Sequence, residues 1–314
     1  MRYFLFVIFL SFCMNVFSDI SFFNIQNKES KITRNSFWYL DFLKTLDFFH
    51  STGKNIQVVI IDQGNTYKNS ICEKNDQRLK KLSNKERIEL ARLISQKNKN
   101  LSLCLMRKKL NLKDLINKYH TDITVGLIKQ IAPDVQIKVI PIKNTNEKDC
   151  KVELYQALNK ALKINPDILH FGLQVLDFDP QKKLDKKILQ SLKKFKLVIA
   201  PSGNNGYIDK KVGFPANQDF VISIGSLCKK GEIYKISDFC QTKQKVDIFM
   251  PGEDLLSQIY IQELKDDYFI PVSGTSMACA LATGSIACLI EKDLKLNNKI
   301  IRIPSKIAQK SLYA

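Results

Sequence analysis

Short apolar runs alternate along this chain with longer stretches of helical period. Residues 57–61 form a run rich in β-branched side chains, the pattern of a strand buried on both faces. Runs of the same kind fall at 135–140, 167–173, 196–200, 221–226 and 246–249. Apolar positions three and four apart predict helices over 38–50, 120–131, 152–164 and 187–195. Ser51-Thr52-Gly53-Lys54 stops the first of these, and Ala132-Pro133-Asp134 stops the second. Residues 275–290 read as a helix that is apolar on nearly every side and therefore buried. Strands alternating with helices predict an α/β fold, with a mostly parallel central sheet and helices on both faces. In such folds ligands bind beyond the carboxyl ends of the strands, so reactive residues are expected just after strands or at helix starts.

Residues 65–115 interrupt this rhythm. They are highly charged, with helical patterns near 85–96 and 112–119, and read as an insertion on the surface of the domain. Residues 19–36 form a short polar segment. There is no internal repeat and no linker long enough to divide two domains. A 314-residue chain that is 45% hydrophobic and 25% charged can bury a sizeable core, which sets disorder aside. The net charge of +18 comes from lysines scattered among Asn and Ile. Without an arginine-rich stripe or zinc-finger spacing, no nucleic-acid partner is expected.

Arg2, the apolar run 3–12 and the small residues Val16 and Ser18 have the pattern of a secretory signal over 1–18. Extended to Phe17, the apolar stretch covers 15 residues, fewer than the roughly 20 that span a bilayer. Export to an extracellular, periplasmic or cell-surface location is therefore expected, with an uncleaved N-terminal anchor as the alternative. No membrane span is expected beyond this signal. Of eight cysteines, Cys13 falls in the signal, and the remaining odd number leaves at least one thiol unpaired. Cys72 with Cys104, and Cys228 with Cys240, are candidate bridges; the second pair flanks an expected hairpin. Cys279 and Cys288 are expected as buried free thiols. With no CxxC and only three histidines, no zinc site is expected. No cofactor is expected, and a structural calcium is left open because no compact acidic loop stands out.

Candidate chemistry lies where the fold predicts it. Asp62 follows the strand Val58-Val59-Ile60-Ile61, with Gly64 allowing a turn after it. His120 opens the helix His120-Thr121-Asp122-Ile123-Thr124-Val125-Gly126. Ser202-Gly203-Asn204-Asn205-Gly206 follows another strand, and Phe214-Pro215-Ala216 and Pro251-Gly252 come later. Ser273-Gly274-Thr275-Ser276-Met277-Ala278 then leads into the buried helix. Taken singly, each of these has a bland reading as a turn, a helix cap or a structural histidine. His50 and His170 are read as structural, His170 as packing inside its strand.

In this order the motifs resemble those of the subtilisin-like serine proteases (subtilases), and the resemblance covers roughly 38–291. It implies one catalytic domain over 37–314, carrying the insertion near 65–115. It implies an exported serine endopeptidase in which His120 is the general base, Asp62 orients it and Ser276 is the nucleophile. The Asn204 amide and the Ser276 N–H would hold the oxyanion. Gly172, Leu173, Gln174, Ser202 and Gly203 would line the substrate cleft of a monomer acting on polypeptides. The chain departs from the family pattern at Thr121, which replaces a glycine, and at Ile123, which replaces a second histidine. Ala280-Leu281 replaces a Pro-His pair. Gln174 also replaces a glycine and is expected to narrow the cleft or change which side chains fit. About 20 residues lie between Ser18 and Trp38, too few for the folding propeptide of secreted members. The alternatives are a subtilase-fold binding protein with weak or no activity, an esterase or amidase using the same triad, and a basic protein bound to nucleic acid or anionic lipid.

Overall fold

A computed structural model describes residues 37–44, 51–63, 83–143, 147–175 and 177–297. The expected signal, the polar segment after it, Gly64 and Cys72 lie outside these residues. Seven strands form the central sheet. They are β1 (Gln57–Gln63), β2 (Gln136–Ile142), β3 (Ile168–Phe171), β4 (Val198–Pro201), β5 (Val221–Lys230), β6 (Ile233–Ile236) and β7 (Ile248–Pro251). The order runs β2-β1-β3-β4-β5-β6, and β7 pairs with β5 as well. All pairings are parallel except the β5–β6 hairpin. The helices are α1 (Trp38–Lys44), α2 (Asn84–Arg107), α3 (Leu112–Lys118), α4 (His120–Ile131), α5 (Glu147–Ile164), α6 (Lys183–Leu192) and α7 (Thr275–Asn297).

Alternation along each strand explains the two layers of helices. Val58 and Ile60 of β1, Ile168 of β3, Ile199 of β4 and Ile224 of β5 face one way, into a core shared with α4 and α7. Val59, Ile61, Leu169, Phe171, Val198 and Ala200 face the other way, into a core shared with α5 and α6. The expected α/β architecture is therefore the observed one. Helix α4 has the expected bounds. Helix α5 begins five residues earlier than expected and α7 runs to Asn297.

One element had no counterpart in the sequence reading, an antiparallel hairpin of β8 (Leu255–Ile261) and β9 (Asp266–Val272). Its strands carry Ser257, Gln258 and Pro271 inside otherwise apolar runs, which obscures the period. The hairpin is anchored to α1 and α4: the Gln130 amide donates to the Leu256 carbonyl at 3.2 Å, and the Tyr39 hydroxyl lies 3.0 Å from the Gln130 Oε1 and 3.2 Å from the same carbonyl. Helix α2, within the charged insertion, packs on the outer side of the hairpin. There the Asn98 amide donates to the Phe269 carbonyl at 2.8 Å, and Lys97 pairs with Asp266.

None of the six described cysteines forms a disulfide, and Cys279 and Cys288 are buried thiols as expected. This corrects the Cys228–Cys240 bridge. Cys228 on β5 stands opposite Lys235 of β6, while the Cys240 Sγ sits 3.4 Å from the Ser202 hydroxyl and receives the Ser226 N–H. Cys104 is unpaired.

Helices α4 and α7 lie against each other on the same face of the sheet. Gly284 permits their close approach, because a β-carbon there would lie 2.9 Å from the Ile128 carbonyl oxygen and from the Ile131 Cβ. His170 projects from β3 toward α7. It is fully buried, and its Nδ1 is 2.8 Å from the Thr283 hydroxyl, which itself donates to the Cys279 carbonyl. It is thus a polar bridge between sheet and helix rather than apolar packing. Burial pulls its pKa from 6.5 down to about 4, against the nearby charge of Asp62.

Gly284→Val should force α4 and α7 apart and cost about 1–3 kcal/mol, the usual range for overpacking; chemical denaturation measures it. His170 supplies a pH dependence. The unfolded chain takes up the proton first, near pH 6.5, and the folded protein only near pH 4. Its contribution to stability is therefore complete above about pH 6.5 and is lost as the pH falls toward 4, by roughly 3 kcal/mol in all. In His170→Gln the melting temperature should fall less steeply with acidification than in the wild type.

Candidate active site

β1, β3 and β4 are parallel, so their carboxyl ends share one edge of the sheet. Asp62, Gly172 and the 202–206 segment meet there. The Asp62 side chain is fully buried, and a carboxylate in that position requires donors. Three are present. Its own neighbour Gln63 donates its backbone N–H to Oδ1 at 2.7 Å, the Thr124 hydroxyl donates to Oδ2 at 3.3 Å, and His120 Nδ1 lies 2.8 Å from Oδ2. Gly172 packs directly on the carboxylate: a β-carbon there would come within 2.6 Å of the Asp62 Cγ. Gly172 thus shapes the seat of the aspartate.

Both helices that supply the remaining groups do so from their first turns. His120 is the first residue of α4, and Ser276 the second of α7. The His120 Nε2 is 3.0 Å from the Ser276 Oγ, so the imidazole links carboxylate and hydroxyl. Burial opposes charging this ring, but the charge of Asp62 and the hydrogen bond it accepts outweigh that. The pKa of His120 is raised above 6.5 as a result. The hydrogen bond to a carboxylate fixes the proton of the neutral ring on Nδ1 and leaves the Nε2 lone pair facing the serine. Thr121, where the family pattern has glycine, donates its hydroxyl to the Gln63 carbonyl at 3.2 Å. The side chain at this departure therefore ties α4 to the end of β1 without entering the triad.

Ser276 is 8% exposed. Gly274, at φ +150°, adopts backbone geometry that glycine favours, just before it. A β-carbon on Gly274 would sit 3.4 Å from both the Ser276 Oγ and the Asn204 Nδ2. The space between hydroxyl and amide is therefore open. The Asn204 Oδ1 accepts from the Thr275 N–H at 2.8 Å and the Thr275 hydroxyl at 2.9 Å, which turns its NH₂ toward that space. The Ser276 N–H, in the first turn of α7, has no acceptor within the helix. Two donors and a helix N-terminus thus converge beside the Ser276 hydroxyl, an arrangement suited to negative charge.

The other expected cleft residues are Leu173, Ser202, Gly203 and Gln174. Leu173 is half-buried and packs against the core beneath α5 and α6. The Ser202 hydroxyl is fully buried and lies 3.4 Å from the Cys240 Sγ. Gly203 donates its N–H to the Thr275 hydroxyl at 3.2 Å. Gln174 reaches toward Gly203 and Gly213. Sequence reasoning passed over Thr124, Thr275 and Gln241. Thr124 could have been found from its place one turn after His120 on the same helical face. Thr275 and Gln241 left no such signal, because their partners are distant in sequence. Among the described residues no three His, Cys, Asp or Glu side chains come together as a metal site, and no helix is long and apolar enough to cross a membrane.

Two curated relatives are each 25% identical to the chain. The "Major intracellular serine protease" of Bacillus subtilis (strain 168) matches over 168 residues, 52% of this chain and 50% of its own. The "Intracellular serine protease" of Paenibacillus polymyxa matches over 162 residues, 51% and 47%. The chain spans about half the length of the curated relatives it matches. Among solved structures, a lanthipeptide protease superposes with a TM-score of 0.51 at 17% identity, covering 88% of this chain and 84% of that one. The PatG macrocyclase in complex with peptide gives 0.51 at 17%, covering 82% and 81%. These two share the fold. The sequence pattern of the subtilase family matches residues 98–303, a span that holds His120, Asn204 and Ser276 and begins after Asp62. With most of its length inside that match, the chain belongs to the subtilase family.

Proposed function

We propose that the protein is a serine endopeptidase that cleaves polypeptides through an acyl-enzyme on Ser276. The observation that carries this reading is the single line of contacts from Asp62 through His120 to Ser276, at 2.8 and 3.0 Å. A serine hydroxyl is a poor nucleophile until a base removes its proton. His120 takes that proton on Nε2 as Oγ bonds to the scissile carbonyl carbon, then returns it to the leaving amine. Asp62 holds the ring and stabilises its charged form. The oxyanion receives the Asn204 amide and the Ser276 N–H. A water molecule, deprotonated by the same imidazole, then releases the acyl group.

Export is the second part of the proposal and rests on the signal-like pattern of residues 1–18. Two observations lean the other way, the word intracellular in the names of both curated relatives and the lack of a disulfide among the six described cysteines. Cell fractionation with N-terminal sequencing decides it: a mature chain beginning after Ser18 outside the cytoplasm supports export, and a full-length cytoplasmic protein contradicts it.

A fluorophosphonate probe should label Ser276 in the folded protein, with mapping by mass spectrometry, and should fail on Ser276→Ala. Labelling elsewhere, or none on folded protein, contradicts the assignment. Asn204→Ala should lower kcat about 10²–10³-fold with little change in KM, because its donor acts on charge that forms only in the transition state. Only neutral His120 can act as the base. kcat/KM should therefore rise with pH along an acid limb whose midpoint lies above the ordinary histidine value of 6.5.

A further inference from the structure

The residue whose carbonyl is attacked carries its side chain one bond from the reacting carbon. With the carbonyl oxygen on the Asn204 amide, that side chain must rest against the segments beside Asn204. Those segments are Gly203 and, across from it, Gly213, whose N–H donates to the Ser202 carbonyl at 3.4 Å. Two glycines facing each other would ordinarily leave a slot for a side chain. Here the slot is filled from within the chain. A β-carbon on Gly213 would lie 1.5 Å from the Gln174 Nε2, and one on Gly203 would lie 3.1 Å from the Gln174 Oε1 and 1.8 Å from the Gln241 Oε1.

Neither glutamine can swing aside easily. Gln241 is buried, and its backbone N–H donates to the Gly203 carbonyl at 3.0 Å. Its Oε1 accepts from the Asn205 N–H, and its Nε2 donates to the Lys211 carbonyl. Gln174 donates to the Gln241 Oε1 at 3.5 Å. The next residue, Val175, is fixed to the far wall by its N–H bond to the Phe214 carbonyl at 3.0 Å. A bulky substrate side chain would have to displace the half-buried Gln174 amide and the buried Gln241 amide and leave their polar atoms unpaired, at a cost its own burial would have to recover.

We propose that Gln174 and Gln241 close the pocket for the residue on the acyl side of the scissile bond, so that the protein acts on polypeptides at Gly, Ala or Ser and rejects large side chains there. This rests on the peptidase reading above. It assigns to Gln174 a specificity role, and to Gln241 the task of holding it.

Peptidyl diphenyl phosphonates that differ only in the residue next to phosphorus test it, with each rate of Ser276 modification normalised to the fluorophosphonate rate of the same protein. Alanine and glycine analogues should react at least about 10-fold faster than leucine or phenylalanine analogues, since even one methylene against a pocket wall is worth about 10-fold or more. Gln174→Gly should raise the phenylalanine rate relative to alanine by at least the same factor, with Gln174→Ala intermediate. Equal rates across the series, or a preference for phenylalanine in the wild type, would overturn the proposal while leaving the nucleophile intact. A folded protein that no fluorophosphonate labels overturns the peptidase reading itself, and this inference with it. Should both Gln174 variants fail to fold, the wild-type series alone decides, a graded fall with side-chain size supporting the closed pocket.

Discussion

A carboxylate with no solvent exposure at the end of β1 constrains everything around it. Asp62 is buried completely, and an unpaired ionised group there would cost several kcal/mol. The structure meets that cost with one backbone donor, one hydroxyl and one imidazole. It also requires a neighbour without a side chain, and Gly172 provides it. The imidazole is therefore a structural partner of the aspartate. Its second nitrogen is left facing outward, and α7 delivers Ser276 to it.

The two helix starts share this task. Placing His120 and Ser276 in first turns brings their side chains to the carboxyl edge of the sheet while the helices behind them are buried. Gly284 lets α4 and α7 approach closely, so one packed unit fixes the distance between His120 and Ser276. The β8–β9 hairpin, held by Tyr39 and Gln130, covers the outer side of α4. Behind the site, His170 joins β3 to Thr283 on α7 and stays neutral, so no second charge competes for Asp62 at neutral pH.

Much of this was legible in the residues. The apolar runs at β1, β3, β4 and β5 lie on both faces of a buried sheet, which produces near-continuous hydrophobicity rather than alternation. Asp62, His120, Asn204 and Ser276 each stand at a strand end or a helix start, where the α/β architecture places chemistry. The hairpin was not legible, because Ser257, Gln258 and Pro271 interrupt its period and its partners are far along the chain. Nor was the direction of the Ser202 side chain. Ser202 lies in a glycine-rich run that matches the family, yet its hydroxyl turns to Cys240. Gln241 carries no motif, and its importance comes only from folding beside Gly203. Thr121 shows the same limit: the sequence marks it as a replacement for glycine, and only the fold shows its hydroxyl on the Gln63 carbonyl.

The central claim is that base and nucleophile form one unit. The most direct measurement is kcat/KM on one peptide substrate for His120→Ala, Ser276→Ala and the double variant. A serine without its base and a base without its serine are equally disabled, so the double variant should be no slower than either single one. Losses that add, or a His120→Ala variant as active as the wild type, would contradict the account.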